Sequence, residues 1–150
     1  MGRRYEALVA SGAISYDPAQ EKLARRLDRL EDELSRADLA VKGSALGWLF
    51  NRKAPKRETI RGLYVHGEVG RGKTMLMDLF FEATTFAPKR RLHFHAFMAE
   101  VHDRIAKARK TGMIDPLPEV AKALSEETRL LCFDELHVTD IADAMILGRL

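Results

Sequence analysis

Cysteine is almost absent. Cys132 is the single example in 150 residues, so no internal disulfide can form and a reducing compartment is the natural setting. Long apolar runs are missing as well: the stretches at 75–77 and 130–133 fall far short of the ~18 residues that a membrane span requires, which argues against a transmembrane segment. The opening MGRRYEALVASG has no apolar core and carries Glu6 early, so neither a signal nor a transit peptide is indicated. No segment repeats along the chain, which sets solenoid and propeller architectures aside. These absences together describe a cytoplasmic protein.

What is present fits that reading. Hydrophobic residues at 46% and charged residues at 31% are those of an ordinary globular chain, and 150 residues can bury roughly 70% of their unfolded surface. The net charge of +3 is unevenly spread. NRKAPKRETIR (51–61) sets Arg52, Lys53, Lys56, Arg57 and Arg61 against the single acid Glu58. Such a run can attract phosphates of nucleic acid or lipid. With Pro55 inside it and no interleaved aromatics, a solvated loop is the better reading, and nucleic acid is not the favoured partner.

The chain alternates between helical and strand patterns. Asp17, Pro18 and Gln20 read as a helix start, in which Asp caps, Pro occupies the first position and Gln reaches back. Leu23, Leu27, Leu30, Leu34, Ala37 and Val41 continue it as an amphipathic stripe. Residues 42–60 read as linker and loop, anchored by Leu46, Trp48, Leu49 and Phe50. GLYVHG (62–67) predicts a short strand, 73–83 a helix, and RLHFHAF (91–97) a second strand. Phe97, Val101, Ile105 and Ala108 mark the next helix, closed by Gly112. Pro116 and Pro118 introduce a short helix through Leu124, and TRLLCFDEL (128–136) supplies a third strand. Strands separated by helices predict an α/β domain with a parallel sheet. The predicted organisation is a helical segment and linker over 1–61, followed by an α/β core over 62–150.

GEVGRGKTM (67–75) lies between the first predicted strand and the helix after it. Gly67-x-x-x-x-Gly72-Lys73-Thr74 matches the phosphate-binding P-loop (Walker A) in the strand–loop–helix context that this motif requires. A triphosphate needs several donors at close range, and a glycine-rich backbone supplies them as successive N–H groups at a helix N-terminus. Gly67, Glu68, Val69, Gly70, Arg71, Gly72, Lys73, Thr74 and Met75 are therefore the candidate nucleotide-binding residues. Lys73 would neutralise the β- and γ-phosphates, and the Thr74 hydroxyl would ligate Mg²⁺.

LLCFDE (130–135) is the independent check. An apolar strand delivers Asp134 and Glu135 at its carboxyl end, where open α/β sheets bind ligands. In this Walker-B-like arrangement Asp134 suits the Mg²⁺ shell and Glu135 suits the base that activates water. Taken with Lys73 and Thr74, the pair indicates hydrolysis of a nucleoside triphosphate by the branch of P-loop NTPases that includes the AAA+ ATPases.

GLYVHGEVGRGKTMLMDLFF, RLHFHAFMAEVHDRI, DPLPEVAKAL and LLCFDELHVTDIADAMILGRL resemble the ZapE family of AAA+ ATPases, whose mitochondrial relatives are the AFG-one-like ATPases. The likeness runs from about Tyr5 to Leu150, with Leu136 standing where phenylalanine is usual. It implies ATP as the nucleotide, assembly into a homo-oligomer, a bacterial cytoplasmic setting and a role in cell division through the division-ring protein FtsZ. It matches Lys73 and Thr74 to the phosphate-loop residues, and Asp134 and Glu135 to the metal and water-activating acids. It also implies a sheet of order 5-1-4-3-2 whose fourth strand, sensor residues and arginine finger lie beyond Leu150. On that footing the chain reads as the amino-terminal part of a longer ATPase, with an incomplete sheet and weak activity of its own. The alternative is a nucleotide-dependent loader that acts on nucleic acid through the basic 51–61 stretch.

Three further residue groups have plain explanations beside functional ones. His93 and His95 share a face of the predicted strand, with His102 on the next helix, but no cysteine or carboxylate completes a recognisable metal set. Gln20 suits a helix cap and equally a contact to adenine. Cys132 occupies a position where a small apolar residue is expected.

Overall fold

A computed structural model describes residues 1–47 and 60–150, with side chains described for 1–37 and 60–150. It comprises two compact units, Met1–Phe86 and Ala87–Leu150.

In the first unit, α1 (Gly2–Ala10), α2 (Pro18–Gly47) and α3 (Lys73–Ala83) pack against one another. The leucine stripe of α2 is buried at Leu27, Leu30 and Leu34, while Tyr5 of α1 and Leu76 and Phe80 of α3 are almost fully buried. Each such side chain contributes about 1.5–3 kcal/mol of burial free energy. The Tyr5 hydroxyl lies 3.2 Å from both the carbonyl oxygen and the amide nitrogen of Asp17, fixing the entry to α2. Helix α2 runs to Gly47 instead of ending near Val41, so the predicted linker begins later than the sequence pattern implies. The α1 helix was not among the predicted elements. The apolar anchor Trp48, Leu49 and Phe50 and the basic residues Arg52, Lys53, Lys56 and Arg57 lie outside the described residues.

The strand expected over 62–67 does not form. This segment pairs with no described strand, and Leu63, Tyr64 and Val65 are 37%, 68% and 37% exposed. Its alternation persists, since the rings of Tyr64 and His66, two residues apart, stack with centroids at 6.1 Å. Alternation supplies only the local half of a strand; the other half is a ladder partner, which the described residues do not provide.

The second unit is a parallel pair, β1 (Lys89–His93) and β2 (Leu130–Asp134), joined through α4 (Phe94–Lys110) and α5 (Leu117–Glu127) and followed by α6 (Ile141–Leu147). Parallel strands need a crossover, and these helices supply it. Phe94, Phe97, Met98, Val101 and Ile105 form the buried face of α4 and pack with Leu117, Val120 and Leu124 of α5. Leu131 and Phe133, two apart on β2 and so on one face, close this core from the sheet side. The Phe133 ring meets Phe94 edge-on at 5.8 Å and Phe97 at 4.8 Å. Leu136 also packs on this cluster, so leucine is accommodated there.

Both strands are shorter than predicted. HFHAF alternates as a strand would, yet the chain turns helical at Phe94 because Phe94, Phe97, Met98 and Val101 together bury one helical face. His95 consequently lies on α4 rather than on a strand with His93, although their rings still stack at 5.6 Å. No group of three potential metal ligands occurs among the described residues. No described helix is long and apolar enough to cross a membrane.

Candidate functional site

The glycine-rich loop belongs to the first unit. Gly67, Gly70 and Gly72 adopt φ of 147°, 81° and 74°, backbone conformations that L side chains rarely take. Gly72, at φ 74° and ψ 19°, is the N-cap of α3, and the Leu76 amide donates to its carbonyl at 3.0 Å. The amides of Lys73, Thr74 and Met75 therefore precede the first intrahelical bond, at the positive end of the helix dipole. Lys73 curls back over the loop, its Nζ donating to the carbonyl oxygens of Gly67 at 3.0 Å and Glu68 at 2.7 Å. Val69 stands 98% exposed at the loop tip, and Thr74 is exposed on the first turn of α3.

The start of α2 is tied to this loop. Arg71 Nη2 donates to Asp17 Oδ2 at 2.8 Å, while Asp17 Oδ1 caps the helix through the Ala19 amide at 2.7 Å. The Ala19 amide and then the Arg71 guanidinium hold the Asp17 carboxyl below the usual range. Gln20 does not cap. Its Nε2 donates to the Arg71 carbonyl at 3.2 Å, because Asp17 alone satisfies the cap and the amide turns toward the loop.

The acidic pair belongs to the second unit. Asp134 ends β2 opposite His93 in the register, and its carboxylate is 17% exposed. Arg91 on the neighbouring strand donates to Asp134 Oδ2 at 3.3 Å, and the Glu135 amide donates to Asp134 Oδ1 at 3.1 Å. Glu135 has φ 52°, the sole positive value at a non-glycine residue among those described. Its carboxylate is 68% exposed and lies 4.0 Å from His93 Nδ1. Arg91 and His93 were not among the predicted site residues. The parallel register is what brings them beside the acids, and no local pattern announces it.

These donor sets suit the groups expected of them. The glycine backbone with its captive ammonium matches an anion, and Asp134 already accepts from a cation in Arg91. Carboxylate and hydroxyl oxygens are the ligands that Mg²⁺ prefers. A model of the AFG1-like ATPase family matches residues 1–150. The chain belongs to that family.

Among curated relatives, it is 40% identical to the cell division protein ZapE of Escherichia coli, over 98% of this chain and 40% of ZapE. An uncharacterized protein of Schizosaccharomyces pombe is 37% identical over 97% of this chain and 38% of its own length. The lactation elevated protein 1 homolog B of Danio rerio is 50% identical over 60% of this chain and 20% of its own length. The chain thus spans about 40% of the first of these relatives. No solved structure matches it.

Proposed function

We propose that this chain binds Mg·ATP through the 67–75 loop and forms the amino-terminal part, from residue 62 onward, of a P-loop core of AAA+ type that hydrolyses ATP. The observation that carries this reading is the Lys73 ammonium held against the Gly67 and Glu68 carbonyls, within a loop whose glycines take left-handed or otherwise glycine-favoured backbone. An ammonium in that position exchanges two carbonyl acceptors for phosphate oxygens when nucleotide arrives, a stronger charge-assisted pairing. Backbone amides at the start of α3 add donors to the same anion.

Thr74 and Asp134 are the residues that would hold Mg²⁺, whose charge offsets the negative charge developing on the phosphates. Glu135 is the proposed base. Its exposed carboxylate can accept a proton from water, and its geometry is set by the turn that follows β2. By the same family likeness, the ATPase works as a homo-oligomer on a protein partner in bacterial cell division, with FtsZ as the expected partner.

Calorimetric titration of Mg·ATP into the chain and into Lys73→Ala tests the core of this reading. Micromolar-range binding by the parent chain and a loss of at least about tenfold in the variant are expected, since a phosphate oxygen loses its charged partner. Equal affinities would remove the loop assignment.

A further inference from the structure

One residue of the glycine loop is gripped twice by the start of α2, all within the first unit. Arg71 Nη2 donates to Asp17 Oδ2 at 2.8 Å, and the Arg71 carbonyl accepts from the Gln20 Nε2 at 3.2 Å, so its side chain and backbone are fixed together. Arg71 stands between Gly70 and Gly72, whose φ values of 81° and 74° belong to the backbone that turns successive amides toward an anion. Glycine permits that shape and equally permits its loss. Asp17 is itself anchored. The hydroxyl of Tyr5, a residue only 2% exposed, lies 3.2 Å from both its carbonyl oxygen and its amide nitrogen. Its two carboxylate oxygens divide the work, since Oδ1 caps α2 through the Ala19 amide at 2.7 Å while Oδ2 holds the loop.

We propose that Asp17 and Arg71 are a positioning pair for the phosphate-binding loop, holding residues 70–72 in the anion-binding conformation before a triphosphate arrives; this rests on the triphosphate-binding reading of the 67–75 loop. Arg71 acts by being pinned, and contact with the phosphates is left to Lys73 and the backbone amides. A loop already shaped for its ligand loses less conformational freedom on binding and so binds more tightly. The pair also settles its own charges. The Arg71 guanidinium, after the Ala19 amide, keeps the Asp17 carboxyl below its usual range, and it offsets a negative charge that would otherwise stand beside an anion site.

Calorimetric titration of Mg·ATP and of inorganic tripolyphosphate, which has neither base nor sugar, into the chain, Asp17→Asn, Arg71→Gln and the double variant tests this. Asparagine caps a helix as well as aspartate does, so Asp17→Asn keeps the Oδ1 bond and turns an NH₂ donor toward the guanidinium. Arg71 is half-exposed, and its shortening to glutamine opens no cavity. Each single variant should lose about threefold to tenfold in affinity for both ligands, while melting within about 2 °C of the parent, because an exposed ion pair contributes little to stability. The double variant should lose no more than the weaker single one, as residues acting as a unit do. Amide hydrogen exchange at 70–73 in the ligand-free chain should quicken in Asp17→Asn and slow again under saturating Mg·ATP.

Parent-like affinity in both single variants, with Lys73-dependent binding intact, would overturn the positioning role alone. So would additive losses in the double variant, or a loss for Mg·ATP that tripolyphosphate does not share, which places the effect away from the phosphates. Lowered melting with unchanged exchange at 70–73 would also overturn it, marking the pair as a tie between helix and loop and nothing more. Failure of the parent to bind either ligand, or equal binding by Lys73→Ala, would overturn this inference together with the reading on which it rests.

Discussion

Gly72→Ala isolates the contact between the glycine loop and the start of α2. Gly72 sits at φ 74° and ψ 19°, where an L residue costs ~1–2 kcal/mol in backbone strain. A methyl group there would also lie 2.9 Å from the Gln20 Nε2 and 3.5 Å from the Met75 Cε. The methionine can yield, but the amide can move only by lengthening its 3.2 Å bond to the Arg71 carbonyl, a loss of ~1 kcal/mol. Gly70→Ala is the matched control, since Gly70 has φ 81° and nothing within 4 Å of its Cβ position. It should suffer the strain alone. Thermal melting should therefore place Gly72→Ala below Gly70→Ala by ~1 kcal/mol, about 2–4 °C for a chain of this size. In a Gln20→Ala background the gap should close. Equal costs for the two glycines, or a gap that persists without Gln20, would refute the argument that the loop and α2 are coupled through this amide.

Three other expectations follow from the second unit. If Glu135 is the base as proposed, Glu135→Gln should leave ATP bound and slow hydrolysis ~10²–10⁴-fold in steady-state turnover, as loss of a general base does. Asp134→Asn should raise the Mg²⁺ concentration needed for half-maximal turnover, read from a magnesium titration at fixed ATP. Glu100 is held by Arg90 at 2.6 Å and Arg104 at 2.7 Å, and these partners, Arg90 foremost, lower its carboxyl below the ordinary value of 4.5. A depressed carboxylate stabilises the fold above its unfolded value and loses that contribution as pH falls through its folded one. Melting at pH 7 should drop by roughly 1–2 kcal/mol in Glu100→Gln, and the difference from the parent should shrink on acidification below about pH 4.5.

The parts of the site that were legible in the sequence are those whose constraint is local. Glycines at 67, 70 and 72 mark positions of positive φ, and a lysine–threonine pair followed by apolar residues marks the start of α3, which begins at Lys73 as predicted. Leu131 and Phe133 announce the strand face that packs on the α4–α5 core, and β2 forms there, although it ends on Asp134, two residues short of the predicted Leu136. What escaped depends on partners distant in sequence. GLYVHG alternates correctly, but a ladder is a property of two segments. HFHAF carries both periodicities at once, and only the packing of Phe94 and Phe97 against Phe133 of β2 decides for the helix. Gln20 satisfied a local capping pattern, and the loop 51 residues away drew its amide elsewhere.

Glu135 joins both kinds of constraint. Its place after an apolar strand is a local signal, but its backbone is not that of a strand end. At φ 52° a non-glycine residue is strained, and the strain is held by short contacts on either side. The Glu135 amide donates to Asp134 Oδ1 at 3.1 Å, and the Glu135 carbonyl accepts from the His137 amide at 2.8 Å. Packing does not account for this, because the side chain is 68% exposed. The left-handed turn instead carries the chain out of β2 at the residue after Asp134, so two adjacent carboxylates leave the strand with different burial. Asp134 stays half-buried beside Arg91, suited to hold a cation, and Glu135 projects into solvent, suited to meet a water. A glycine at 135 would relieve the strain and remove the carboxylate proposed as the base. Glu135→Gly should therefore melt no lower than Glu135→Gln while turning over no faster, and a clear destabilisation by glycine would show that the side chain, rather than the turn, holds this backbone in place.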